Sequence, residues 1–124
     1  MEVVDIAEQI NKRIAKLEKL CGQLDDADKF LAETEANYDK EYAKAQARLA
    51  MGKIEEIDGV AISKPPATLI GKYAAGICFE EKCQMLIAKN RVKSLHKKID
   101  ALSASISAKQ SIYRQLSHEK VGQY

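Results

Sequence analysis

The chain has 124 residues, a net charge of +2, 46% hydrophobic residues and no Trp. That length suits one domain, residues 1–124, and a composition led by Ala, Leu, Ile, Lys, Glu and Gln favours helix throughout. The small net charge selects no class of partner by itself, and no apolar run approaches the ~20 residues of a membrane span.

Charge is nonetheless uneven along the chain. Residues 1–51 carry 8 basic and 11 acidic groups, residues 52–66 carry 2 and 3, and residues 67–124 carry 10 and 4. Either the two ends attract one another or the second half attracts a polyanion. The three cysteines, Cys21, Cys78 and Cys83, are an odd number, and the opening Met-Glu-Val-Val-Asp has no basic or apolar leader pattern. A reduced, cytoplasmic protein is expected.

The first helix is expected over residues 3–51. Val3, Ile10, Leu17, Leu24, Leu31, Tyr38 and Ala45 recur every seven residues, with Ala7, Ile14, Cys21, Asp28, Glu35, Tyr42 and Leu49 as a companion row. Asp28 and Glu35 sit poorly in a packed row, and Ala27 and Thr34 beside them would enter it after a small rotation. Gly22 costs ~1 kcal/mol against Ala in a helix interior. The helix is either continuous, with a kink between Cys21 and Asp26, or a short helix 3–21 followed by a second one capped by Asp25 or Asp26.

Residues 52–68 form the connector. Gly52 and Asp58-Gly59 are breakers, Val60-Ala61-Ile62-Ser63 is extended, and Pro65-Pro66 bars helix through Lys64. Its length exceeds an ordinary turn between antiparallel helices, so it is either a floppy tip or a binding loop.

The second helix is expected to start near Ala67 or Thr68, with Thr68 a candidate N-cap that leaves residues 69–119 helical. Gly71-Lys72-Tyr73-Ala74-Ala75-Gly76 is its weak start and forms either part of the helix or a separate short one. Beyond it lies the strongest pattern in the chain. Met85, Val92, Ile99, Ile106 and Tyr113 recur at seven, and Ala88, Leu95, Leu102 and Leu116 follow at the complementary spacing, interrupted by Lys109. Alternating steps of three and four make a coiled-coil seam. The expected fold is therefore all-α: two long helices, each about 75 Å long at 1.5 Å per residue, in an antiparallel coiled-coil hairpin with an irregular connector. Leu17, Leu24, Leu31, Tyr38, Val92, Leu95, Ile99, Leu102 and Ile106 form its seam. A pivot near residue 60 places position i opposite about 120 − i. Such a thin core leaves apolar surface over, so a homo-oligomer or a dedicated protein partner is expected.

Chemistry-bearing clusters are few. Cys78 and Cys83 lie about 140° apart on a helix, and His96 and His118 are distant from both, so no metal-ligand spacing is present. The serines of residues 103–117 have no His or acid placed to activate them. No Gly-rich phosphate loop occurs. No enzyme, no metal and no cofactor is the reading. Tyr38, Tyr42 and Tyr113 suit core packing with the hydroxyl at the rim. What remains is the basic run Lys89, Arg91, Lys93, His96, Lys97 and Lys98. It is either a solvated face paired with Asp25, Asp26, Asp28, Glu33 and Glu35, or an anion-binding surface of Lys89, Arg91, Lys93, Lys97 and Lys98 suited to single-stranded nucleic acid. No aromatic stacking platform lies nearby.

Three segments carry a resemblance: Tyr38-Asp39-Lys40-Glu41-Tyr42-Ala43-Lys44-Ala45, Pro65-Pro66-Ala67-Thr68-Leu69, and Ile99-Asp100-Ala101-Leu102-Ser103-Ala104-Ser105-Ile106. With the helix–connector–helix layout they resemble small coiled-coil proteins from the early, recombination-linked regions of tailed-phage genomes, and are similar in layout to UvsY-type recombination mediators over residues 30–117. The resemblance implies an oligomeric, non-enzymatic accessory protein of a bacterial host cell's cytoplasm, acting in DNA recombination or replication on single strands and partner proteins. A phage origin equally fits an anti-defence inhibitor, such as an anti-CRISPR or signal-sequestering protein, that binds a host protein or nucleotide. A structural or chaperone-like coiled coil is the third class; prefoldin-type subunits share the helical plan, but two clear hairpin strands are not legible in this connector.

Overall fold

The computed structural model describes residues 2–122, with side chains to residue 119. Its elements are α1 (Val3–Ala50), β1 (Glu56–Ile57), β2 (Val60–Ala61), α2 (Ala67–Ile77) and α3 (Phe79–Gly122). The protein is mostly helical, and the two long helices pack against each other. Among the described residues no helix is long and apolar enough to cross a membrane. The chain divides into two compact units, residues 1–27 with 92–124, and residues 28–91.

In the first unit, Ile6, Ile10 and Ala27 of α1 and Leu95 and Ile106 of α3 are buried. Leu17, Leu20, Leu24, Val92, Ile99 and Leu102 are half-buried. Lys109, which interrupts the apolar rows of α3, is half-buried and donates from Nζ to Gln9 Oε1 at 3.0 Å. A paired polar group in a packed stripe costs little when aligned and much when slipped, so it favours one register.

In the second unit, Leu49, Ala45, Ala74 and Cys78 form the buried core, with Tyr38, Tyr42, Ile54, Ile62, Ile70 and Tyr73 against it. Thr34 is buried and donates its hydroxyl to the Leu31 carbonyl at 2.9 Å, which satisfies it. Gly71 lets α2 approach α1. The Tyr42 hydroxyl donates to the Gly71 carbonyl at 3.3 Å, and a Cβ at Gly71 would stand 3.2 Å from the Tyr42 hydroxyl oxygen.

Four expectations meet the structure. First, α1 is continuous as expected and runs through Gly22 without a break; the other three need correction. Second, its companion row is Ile6, Leu20, Ala27 and Thr34, whereas Ile14, Cys21 and Asp28 are exposed. Residues seven apart lag by ~20° in an unsupercoiled helix, so the buried row migrates along the sequence and reaches Tyr42 and Leu49 only near the C-terminal end. Third, the second helix begins at Ala67 as expected, but Pro66 and not Thr68 is its N-cap, and the single helix to residue 119 is divided at Cys78 into a short α2 and a long α3. Cys78 leaves helical geometry (φ −93°, ψ 26°) while its N–H still bonds the Ala74 carbonyl at 3.0 Å. Glu80 and Glu81 then occupy the first turn of α3, where carboxylates suit the helix dipole.

Fourth, the connector is not irregular throughout. Glu56 pairs with Ala61 and Ile57 with Val60 in an antiparallel hairpin. Asp58 (φ 47°) and Gly59 (φ 81°) form its two-residue turn, and both need the left-handed backbone that Asp tolerates and Gly prefers. Before it, Gly52 (φ 69°) closes α1: Lys53 N–H bonds the Arg48 carbonyl at 2.9 Å and Gly52 N–H the Leu49 carbonyl at 3.1 Å.

Leu49→Ala is expected to cost ~2–5 kcal/mol in denaturant unfolding, because Leu49 is fully buried. Asp28→Ala should stay within about 0.5 kcal/mol, as for an ordinary exposed position. Stabilisation of the Asp28→Ala protein by more than about 1 kcal/mol would instead place the row through Cys21 and Asp28 at the interface.

Candidate nucleic-acid interface

The nine seam residues read from the sequence differ in burial. Leu95 and Ile106 are buried, and Leu17, Leu24, Leu31, Tyr38, Val92, Ile99 and Leu102 are half-buried. That packing fixes which way the charged residues of α3 point. Lys89, Arg91, Lys93, His96, Lys97 and Lys98 are all exposed.

The acidic run of α1 absorbs little of this charge. Glu35 meets Lys89 at 4.0 Å, with both side chains nearly half exposed, so the pair is worth only ~0–1 kcal/mol. Among the described residues the remaining ion pair is Lys44 with Glu41 at 3.7 Å, within α1. Among the described residues, Arg91, Lys93, Lys97 and Lys98 have no carboxylate within ion-pair distance. They are spread around α3: steps of 100° per residue put Lys93 and Lys97 on neighbouring turns and Lys98 on the next edge.

Two surface depressions carry charge of opposite sign. In the first unit, a groove of about 500 Å³ is lined by Lys16 and Leu20 of α1 and by Lys98, Ala101, Leu102 and Ser105 of α3. Lys16 escapes a sequence reading that weighs the net acidity of residues 1–51. The signal was nevertheless available: Lys12, Lys16 and Lys19 are spaced by four and three, which sets them side by side on one helical surface, and all three are exposed. In the second unit, a depression of about 480 Å³ lies against Asp58, Gly76, Ile77, Phe79, Glu80 and Glu81. Glu81 Oε2 is buried there without a hydrogen-bond partner. Among the described residues no three His, Cys, Asp or Glu side chains gather in a way that could hold a metal ion.

Cys78 is 2% exposed at the junction of α2 and α3, while Cys21 is exposed and Cys83 half-buried. Burial first, then the carboxylates of Glu81 and Glu41, push the Cys78 thiol above its ordinary 9.0. The phenol of Tyr38, stacked on Tyr42 with centroids 5.8 Å apart, is likewise raised, by burial first and then by the neighbouring Tyr42, Cys78 and Asp39. Neither group is an activated nucleophile, since a raised pKa leaves less of the reactive anion at neutral pH.

Both shifts run the same way, so the folded chain holds these protons more tightly than the unfolded chain. Their contribution to stability is complete below the unfolded values and is lost as pH rises through the folded ones. The melting temperature should therefore fall above about pH 9. Cys78→Ala should lower stability at neutral pH yet flatten part of that alkaline slope. Melts followed by circular dichroism across this range check it, and parallel curves for the two proteins would refute the assignment.

Compared with known proteins, the chain matches no family model, no curated protein and no solved structure.

Proposed function

We propose that the chain is a non-enzymatic accessory protein, a coiled-coil hairpin that self-associates and binds single-stranded nucleic acid, as phage-type recombination mediators do. The observation that carries this reading is the exposure of Arg91, Lys93, Lys97 and Lys98 without ion-pair partners among the described residues. Exposed, unpaired cations on one helix neutralise phosphates and release counterions at little structural cost. Self-association has its own support. Phe79 (66% exposed), Leu86 (45%) and Ile87 (68%) fall with Cys83 on one side of α3, an apolar stripe on the solvent face of the second unit.

The connector hairpin favours a second reading, a structural or chaperone-like coiled coil. A helix–hairpin–helix order is what that class requires, and Asp58-Gly59 supplies its turn. Such a protein would suppress aggregation of an unfolded client without binding nucleic acid.

Fluorescence anisotropy with a labelled oligonucleotide separates the two. Binding at low salt should be sequence-tolerant and fall steeply with added salt. Lys97→Glu with Lys98→Glu should remove most of it while the melt stays within about 0.5 kcal/mol of the parent, as for exposed positions. No binding at low salt would overturn the nucleic-acid reading and leave the chaperone-like one.

A further inference from the structure

The groove in the first unit offers something that a strip of lysines on α3 does not. Lys16 comes from α1 and Lys98 from α3, so its two cations stand on different helices. Leu20, Ala101 and Leu102 share the same lining, which holds no carboxylate. The groove therefore combines two cations with apolar side chains. Lys12 and Lys19 extend the positive side along α1, one helical turn to either side of Lys16.

Resting on the nucleic-acid reading above, we propose that this groove is where a single strand crosses the helix pair, with one base laid on Leu20, Ala101 and Leu102 and its flanking phosphates held by Lys16 and Lys98. A single strand repeats the complementary pattern, phosphate, flat apolar base face, phosphate. A fatty-acid carboxylate presents one charge and would leave one ammonium unused. An acidic peptide lacks a flat apolar element between its charges.

The same geometry rejects duplex. Paired bases have both faces covered by their neighbours in the stack and cannot reach a floor of side chains. Simple charge neutralisation would favour the duplex, whose phosphates are denser. The Ser105 hydroxyl, at once donor and acceptor, accepts any base edge, so no sequence preference is built in.

The test uses anisotropy with a labelled thymidine oligonucleotide of about 15 residues, within the span of common single-strand sites. Its companions are an oligonucleotide of the same length with a central abasic run, and a duplex. The intact single strand should bind most tightly, with the abasic strand weaker by a few-fold, less than the loss of a base from an aromatic platform. Lys16→Glu should weaken the intact strand and reduce the salt slope by about one. Ala101→Glu should abolish the difference between intact and abasic strands. Lys16 and Ala101 are exposed, so both variants should melt like the parent. Equal binding of intact and abasic strands, tighter binding of duplex, or parental affinity in Lys16→Glu would each overturn the groove while leaving the lysines of α3 as the site. Absence of binding to every oligonucleotide would overturn the groove and the reading beneath it together.

Discussion

Everything in this fold depends on burying a stripe about two residues wide along each long helix. Such a stripe buries side chains like Leu95, Ile106 and Leu49. A helix pair has one layer of contact, and every side chain outside that layer belongs to the surface. At the α2–α3 junction, where Cys78 is enclosed, burial suppresses the thiolate instead of promoting it. What such a surface does well is present charge and apolar patches in fixed rows.

The rows of α3 were legible because, up to Ile106, nothing there contradicts the heptad. Met85, Val92 and Ile99 alternate with Ala88, Leu95 and Leu102, and neither Gly nor Pro interrupts them. The rows of α1 were half legible. Ala27 and Thr34 are the buried residues of the companion row, but they are small and one is polar, so they gave a weaker signal than the seven-residue spacing that led to Cys21 and Asp28. The drift of a 3.6-residue helix against a seven-residue repeat decides that contest. The hairpin was missed for a different reason. Strands of two residues are too short to show alternation, and Asp58-Gly59 reads as a breaker until its positive φ angles give it a turn type. The boundary at Cys78 had no sequence mark beyond the loose apolar density around Ile77 and Phe79.

Of the candidate site, exposure of the cations on α3 followed from the seam alone, since residues outside the apolar rows must point away from them. The contribution of Lys16 did not follow. Charge summed over residues 1–51 is acidic, and the sum hides a local cluster that only helical spacing and the partner helix bring to Lys98. Segment charge is a poor guide in a paired-helix protein, because neighbours in space come from opposite ends of the sequence. The Glu35–Lys89 pair and the Gln9–Lys109 bond make the same point with single contacts.

The connector hairpin has a consequence for how the protein behaves when concentrated. Ile62 N–H bonds the Glu55 carbonyl at 2.8 Å and Val60 faces Ile57, so Val60 and Ile62 spend their backbone groups on β1. Ala61 between them turns its N–H and carbonyl outward, onto the open edge. Two residues past Ser63 the chain enters Pro65-Pro66, which has no N–H to offer. The open edge is therefore only about three residues long, and Lys64 adds a charge at its end. A template that short cannot seed the strand-by-strand growth of fibrils, which draws on segments of about six residues or more. The exposed Val60 can remain on the surface without making the tip a site of irreversible aggregation.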